Sequence, residues 1–417
     1  MLDSSRSADT SKRVIVKFGG TSIADPNRIT RATSSIVKAV KSGKEVIVVV
    51  SAMGKTTDEL LSILHSTNKS IDREDEDDIL SMGERISARI FTAFLKTEGL
   101  KSKYFDPSDN TWPIITDDNY SNANPILDEC EKKVKDFVEP LLSKNIVPVI
   151  AGFIGKTKSG KISTIGRGGS DTTAFILAKA LKSNEVIMVT DSNGIMTADP
   201  KLIPDAQRIP EISIDSLLSL ADSGKKFIHR KALKYKAPES NVKVISHMNG
   251  DLSAKGTIIT GGIRSNLNVE LENSSIASVT IIGNRISEKP KLIYGLIRKI
   301  KRNQDLAGLS LNYNSIIIYV IENRNLESTL KAIHDDVKSS KDLISMTIRK
   351  KLGFIKIKGS GLEEAPGIIG KISESLMVND INIFGILTIT SSILVFVDWK
   401  SAKKSKELIK KAIGEDK

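Results

Sequence analysis

From Lys12 to about Gly262, short unbroken runs of Val and Ile alternate with segments of helical periodicity, and this alternation fixes most of what the chain can fold into. Val14-Ile15-Val16-Lys17-Phe18, Val46-Ile47-Val48-Val49-Val50, Ile146-Val147-Pro148-Val149-Ile150 and Val186-Ile187-Met188-Val189 read as strands that are apolar on both faces. Ile29–Val40, Ile79–Leu95 and Thr172–Leu181 read as helices among them. Strands hydrophobic all round belong in a mostly parallel sheet with helices on both sides. Such sheets bind ligands beyond the carboxyl ends of their strands, so the chemistry is to be sought just after each run.

Beyond Ile276 the texture changes. Ser278–Ile282 reads as a strand, Leu292–Ile300 as a helix, Leu306–Leu311 and Ile316–Ile321 as strands, and Leu326–Val337 as a helix. The order then returns: strand Phe354–Lys358, helix Ile368–Met377, strands Ile381–Ile389 and Ile393–Val397, helix Lys403–Ile413. Two successive β-α-β-β-α units indicate a duplicated ferredoxin-like module. Lys338–Lys350 is the expected boundary, with Ile344–Ile348 as an added strand.

Three loops carry a concentration of glycine and polar groups. Val14–Phe18 runs directly into Gly19-Gly20-Thr21-Ser22, with Lys17 at the strand end. Only glycine lets main-chain N–H groups come close to a phosphate, so this loop reads as a phosphate contact. A plain strand-to-helix turn would explain one glycine but not the whole cluster. Gly166-Arg167-Gly168-Gly169-Ser170-Asp171-Thr172-Thr173 leads into a helix; Ser170 or Asp171 could serve as its cap, yet capping requires neither Arg167 nor three glycines. The third loop, Thr190 to Lys201, follows Val186–Val189 and contains Asn193-Gly194 and Asp199-Pro200, which are also ordinary turn formers. The common nucleotide fingerprints are missing. Ile150 stands where a Walker A loop ending at Gly155-Lys156-Thr157 needs its first glycine, and Asp171 stands where a dinucleotide fold needs its third.

Composition enters to exclude other classes. The net charge of +12 invites a nucleic-acid partner, but aromatics are only 5% and the lysines are scattered, so a solvated lysine-rich surface and anionic small substrates account for it better. The acidic run Asp72–Asp78 reads as an exposed helix start. Cys130, the single cysteine, permits no internal disulfide and fits a reducing compartment. No apolar run approaches the ~20 residues needed to span a bilayer. The polar start, Met1 to Ser7, has no apolar signal core, so residues 1–12 are expected to be a flexible tail and the protein to be cytoplasmic, with neither a nucleic-acid nor a membrane partner. His65, His229, His247 and His334 are scattered without metal-ligand spacing, and no protein-built metal site is expected.

The run Lys17-Phe18-Gly19-Gly20-Thr21-Ser22 resembles the opening motif of aspartokinases. Ser81-Met82-Gly83-Glu84-Arg85, the Gly166–Thr173 loop, Thr190–Lys201 and Gly224-Lys225-Lys226-Phe227-Ile228-His229 resemble further motifs of that family, in the family's order. The resemblance implies an α/β amino-acid-kinase fold, a three-layer sandwich on a mostly parallel sheet over residues 13–262, followed by ferredoxin-like ACT modules at 270–350 and 351–417. It implies a monofunctional enzyme, since no dehydrogenase segment follows. It further implies ATP-dependent phosphorylation of the β-carboxylate of L-aspartate, with Mg²⁺ held mostly by ATP oxygens and water. Carried over residue by residue, Lys17, Gly19 and Gly20 hold the transferring phosphate and Lys226 makes a second phosphate contact. Arg167 pairs with the α-carboxylate of aspartate, while Glu84 and Asp171 meet its α-ammonium. Ser51, Thr57, Gly168, Gly169 and Ser170 line the substrate site. Ser22, Thr190, Asp191, Met196, Asp199 and Lys201 fall where relatives hold ATP; many relatives have tyrosine at Met196 and arginine at Lys201. The tail implies a homodimer or higher oligomer joined through ACT modules, with lysine or threonine as effector near Ala365-Pro366-Gly367.

A carboxylate with a pKa near ~4 is already ionised at pH 7, so its attack on a phosphoryl group needs no general base. It needs positioning and neutralised charge, which Lys, Arg, Mg²⁺ and glycine N–H groups supply. Other readings remain open: glutamate, acetylglutamate, carbamate or a nucleoside monophosphate as acceptor, or a non-catalytic amino-acid sensor. Glu84 with Asp171 favours an acceptor bearing a free ammonium, and the presence of Lys17, Arg167, Asp171 and Lys226 favours catalysis.

Overall fold

The computed structural model describes residues 12–66, 71–214, 216–217, 228–262, 267–359, 362, 367–389 and 392–414. They fall into two compact units, divided between Ile263 and Arg264.

The first unit is built on an eight-stranded sheet in the spatial order Ser102–Phe105, Val147–Ala151, Glu45–Val50, Arg13–Phe18, Glu185–Thr190, Asn241–Ser246, Thr257–Thr260, Glu211–Ser213. All neighbours run parallel except Asn241–Ser246 with Thr257–Thr260. Val46 to Val50 are all buried, as expected of a strand covered on both faces. Helices Pro26–Lys41 and Arg73–Thr97 pack on each other and on the sheet, and Leu127–Lys133 packs with Gly169–Ala180, which in turn lies on the sheet. Phe18 meets Phe91 across a 5.2 Å ring separation, joining the first strand to helix Arg73–Thr97. That helix begins six residues before the expected Ile79, because the Asp72 carboxylate caps Glu74 N–H and three acidic residues occupy its first turn. Strands Asn241–Ser246 and Thr257–Thr260 are additions to the sequence reading. Gly155-Lys156-Thr157 lies in strand Ile154–Thr157 of a separate three-stranded sheet, so it is not a phosphate loop.

Register decides where the site can form. Phe18 lies opposite both Val50 and Val189, and Val50 lies opposite Ala151. The residues that follow, Gly19, Ser51, Thr190 and Gly152, therefore emerge together at one edge of the sheet.

The second unit is an antiparallel seven-stranded sheet. Leu306–Asn312, Ser315–Ile321, Ile276–Gly283, Leu343–Lys358, Ser392–Asp398 and Gly385–Ile389 follow one another, and Asn268–Leu271 pairs with the far end of Leu343–Lys358. The expected break near Lys350 is replaced by one 16-residue strand shared by both modules. Its pairing shifts between Ile276 and Ser278, and Lys351 adopts a φ of 56°, so a bulge turns the strand from one module to the next without a linker. Asn268–Leu271, a strand the sequence did not announce and which straddles the expected start of the first module at 270, pairs with residues 355–358, and Val269 joins the core of Ile355, Ile372 and Ile409. The first module thus begins at Ile276 and is inserted between that strand and the rest of the second. Tyr319 stacks on Phe396 at 3.8 Å and ties the two together. Gly367, with φ 82°, precedes helix Ile368–Met377; Ala365, Pro366, Thr390 and Ser391 lie outside the described residues.

Candidate active site

An open cleft of about 790 Å³ lies beyond the carboxyl ends of the central strands, and residues from seven separate chain segments line it. Lys17 is the last residue but one of the first strand, and its Nζ lies 2.8 Å from the Asp171 carboxylate in the first turn of helix Gly169–Ala180. Gly20 lines the cleft, and a Cβ there would fall 2.4 Å from the Ala52 carbonyl oxygen. The glycine is required because the turns after two neighbouring strands close on each other, with Gly54 N–H donating to Gly20 O at 3.1 Å.

Gly19 and Ser22 differ from expectation. The Gly19 N–H donates to the Val189 carbonyl at 3.1 Å, so it is spent on the neighbouring strand. The Ser22 hydroxyl is fully buried and donates to the same carbonyl at 3.0 Å. Both anchor the turn, leaving Gly20 and Lys17 as the groups that face the cleft.

The second wall comes from helix Arg73–Thr97, which presents Glu84. Gly83 beside it lets Ala52 approach, since an added Cβ would sit 2.8 Å from the Ala52 Cβ. Glu84 is 4% exposed. Burial pushes its carboxyl up to about 7, against N–H groups of Ala52 and Glu84 and the Lys17 charge, all of which favour the ionised form. Its Oε2 has no hydrogen-bond partner among the described residues. A buried acceptor without a partner, on a residue that lines a cleft, favours a cation or donor beside it. Ser51 and Thr57 line the same wall.

The third wall is the loop 166–171. Gly166 and Gly168 have φ values of 81° and 77°, in the left-handed region, and Arg167 stands between them. A Cβ on Gly168 would lie 2.2 Å from that of His229. Arg167 is exposed and meets no carboxylate among the described residues. Gly169, Ser170 and Asp171 complete the lining. The cleft therefore sets a buried carboxylate, a Lys–Asp pair and an uncompensated guanidinium around one space.

The loop after Glu185–Thr190 emerges from the strand beside Arg13–Phe18. Thr190 Oγ1 lies 3.1 Å from the Ser192 hydroxyl, and the His247 ring sits 3.0 Å from the Thr190 carbonyl. Met196 bridges to Arg208, and the Asp199 carboxylate caps the Lys201 N–H at 2.9 Å. Asp191, Asp199 and Lys201 are exposed, and none of Thr190, Asp191, Met196, Asp199 and Lys201 lines the cleft. Lys226 lies outside the described residues.

Residues 12–246 match the model of the amino acid kinase family. An aspartokinase from Rickettsia felis is 31% identical over 94% of this chain and 96% of its own length. One from Mycolicibacterium smegmatis is 30% identical over 96% of both chains. The chain belongs to the amino acid kinase family, among its aspartokinases. The solved aspartate kinase from Synechocystis is 27% identical with a TM-score of 0.79, covering 96% of this chain and 69% of that one. E. coli aspartokinase III, solved in complex with aspartate and ADP, shares the fold at 21% identity and a TM-score of 0.54.

In this amino acid kinase the cleft also holds residues that no motif announced. Phe153 and Ser121 both line it and both have positive φ, 70° and 65°, an unusual state for residues with a Cβ. Phe153 fits against Gly169, where a Cβ would come within 2.8 Å of its Cα. Neither carries a local sequence signal, because left-handed non-glycine residues are fixed by distant partners. His229, expected only to be no metal ligand, also lines the cleft beside Gly168.

Proposed function

We propose that this chain transfers the γ-phosphoryl group of ATP to the β-carboxylate of L-aspartate, giving 4-phospho-L-aspartate and ADP. The observation that carries the reading is the buried, open Oε2 of Glu84 in the same cleft as the exposed Arg167. An α-amino acid offers an ammonium for the first and a carboxylate for the second, a two-pronged match that Arg makes well. Its side-chain carboxylate is then directed toward Lys17.

The β-carboxylate attacks phosphorus as the anion, so the chain supplies no base. Lys17 and the Gly20 N–H stabilise charge on the transferring phosphoryl oxygens. Asp171, 2.8 Å from Lys17, holds that ammonium at the strand end and is a second partner for the substrate ammonium. The 190–201 loop takes the nucleotide, and the family resemblance gives Lys226 a second phosphate contact. Among the described residues no cluster of three His, Cys, Asp or Glu is placed to hold a metal, and Mg²⁺ would enter with the nucleotide and would supply charge neutralisation for its phosphates. The second unit pairs with its counterpart in another copy and binds lysine or threonine as effector, and the enzyme works in the cytoplasm, where both substrates are found. Among the described residues no helix is long and apolar enough to cross a membrane.

An ADP-release assay with aspartate and glutamate compared, joined to hydroxylamine trapping of the acyl phosphate, tests the reading. Trapped aspartyl hydroxamate, with aspartate turned over at least tenfold better than glutamate, is expected. ADP release with neither, or a preference for glutamate, removes it.

A further inference from the structure

Arg167 stands between two glycines with φ near 80°, a chain with little stiffness of its own, so its direction depends on what holds the residues before and after it. After it, helix Gly169–Ala180 begins at once. Before it, residues 164–166 run beside residues 121–123, joined by Ala123 N–H donating to Thr164 O at 2.9 Å. A buried carboxylate and a half-buried ammonium grip this pair of segments from different elements.

Asp77, fully buried in helix Arg73–Thr97, takes them by their donors. Its Oδ2 accepts the Ser121 N–H at 2.8 Å and the Thr164 N–H at 2.7 Å, and its Oδ1 accepts the Thr164 hydroxyl at 2.7 Å. The first of these bonds holds Ser121 in its left-handed conformation. Lys231, in the short helix Arg230–Leu233, takes them by their acceptors. Its Nζ donates to Ile165 O and Asn122 Oδ1, each at 2.6 Å, and reaches Ala123 O at 3.3 Å and Asn122 O at 3.4 Å. One ammonium with three protons thus serves four oxygens. Burial raises the Asp77 carboxyl and lowers the Lys231 ammonium from their ordinary values. Each charge is held against that cost and spent on the two segments.

We propose that Asp77 and Lys231 form a brace that fixes Thr164 and Ile165 and thereby aims Arg167 at the α-carboxylate of the amino-acid substrate; they are positioning residues, not contacts. This rests on the reading of Arg167 given under Proposed function. Asp77 lies seven residues before Glu84 in one helix, so the group proposed to meet the ammonium and the brace behind the group proposed to meet the carboxylate share one rigid element.

Lys231→Met keeps the length of the stem and removes the donors. It is expected to raise KM for aspartate about tenfold, leave KM for ATP within about twofold, and speed amide exchange at residues 164–168 in the substrate-free protein. Lys231→Arg, which restores donors, should recover part of both effects. Asn122→Ala removes one exposed acceptor, cannot leave a buried charge bare, and should move KM for aspartate two- to threefold in the same direction; it decides the matter if Lys231→Met fails to fold. Unchanged exchange, or an equal rise in both KM values, overturns the brace. Faster exchange with an unchanged KM for aspartate overturns its positioning role. Arg167→Lys run in parallel separates the two readings: if it too leaves KM for aspartate unchanged, the assignment of Arg167 has failed.

Discussion

On the side of the cleft proposed to take aspartate, Glu84 and Asp171 are buried, Gly20, Gly168 and Gly169 sit where a Cβ would collide, and two non-glycine residues are held at positive φ. On the loop proposed to take the nucleotide, Asp191, Asp199 and Lys201 stand exposed, and the loop's polar groups mostly satisfy its own turns. The difference follows from what each ligand offers. A four-carbon amino acid presents few atoms, so each contact must be pre-positioned and dry to discriminate. A metal-bearing triphosphate presents several charges at once and tolerates a looser set of partners. Pre-organisation is concentrated where the ligand is smallest.

The sharpest way to break this comparison is at Lys17, which belongs to both sides. Lys17→Ala should lower kcat by about 10²–10³, the usual effect of removing one charge-stabilising donor, because its charge matters most as the phosphoryl group transfers. Steady-state kinetics on variant protein of native thermal stability measures it, and wild-type turnover would take Lys17 out of the mechanism. Arg167→Ala comes next. Loss of a charge-assisted pair is worth roughly 1.5–3 kcal/mol, so KM for aspartate should rise about ten- to a hundredfold with KM for ATP nearly unchanged. A parallel rise in both constants would erase the division into two sides.

The pH dependence is a smaller and separate test. With the Glu84 carboxyl near 7 in the free enzyme, against an ordinary value of 4.5, the anion that meets the substrate ammonium is lost as pH falls below about 7. The limb of kcat/KM for aspartate should therefore decline on the acid side with a midpoint near 7. Glu84→Gln should flatten that limb while raising KM. Stability carries the opposite sign: the raised value favours the folded state while Glu84 is protonated, and this contribution fades as pH rises from 4.5 through about 7. Bound aspartate should thus increase thermal stability more at pH 8 than at pH 6. A profile flat between these values would mean that Glu84 does not meet the ammonium.

The lining of the cleft was largely legible in the sequence, because a lysine near a strand end and glycines beside Arg167 are local signals carried by adjacent residues. What escaped is set by register and by distant partners. Gly19 and Ser22 look like phosphate contacts until the pairing of Phe18 with Val189 shows both turned to the Val189 carbonyl. Asp77, read as one more acid in an exposed helix start, is buried under Thr164, 87 residues away. In the second unit the repeat of β-α-β-β-α was readable, but the insertion was not. Nothing local to Asn268–Leu271 tells that it will pair with residues 355–358, and nothing local to Lys350 tells that its strand continues.

The smallest expected effect lies at Met196, on the looser side. Met196 is half-buried, and its backbone bridges to Arg208, so the residue is placed while its flexible side chain is free to choose among rotamers. A tyrosine there has only two side-chain torsions and a flat face that stacks on a purine ring. Such stacking is worth roughly 0.5–1.5 kcal/mol beyond area burial, which sets an upper range of about two- to tenfold. Part of that is spent in desolvating the hydroxyl at a half-exposed position, so Met196→Tyr should lower KM for ATP two- to threefold, as read at saturating aspartate. KM for aspartate should stay within error, since Met196 does not line the cleft. A fall in both constants would show that the loop and the cleft are one coupled site. An unchanged KM for ATP would place the purine elsewhere than beside Met196, and the looser side would then have to be sought along another strand end of the same edge, the nearest being Ser246, which pairs with Thr190.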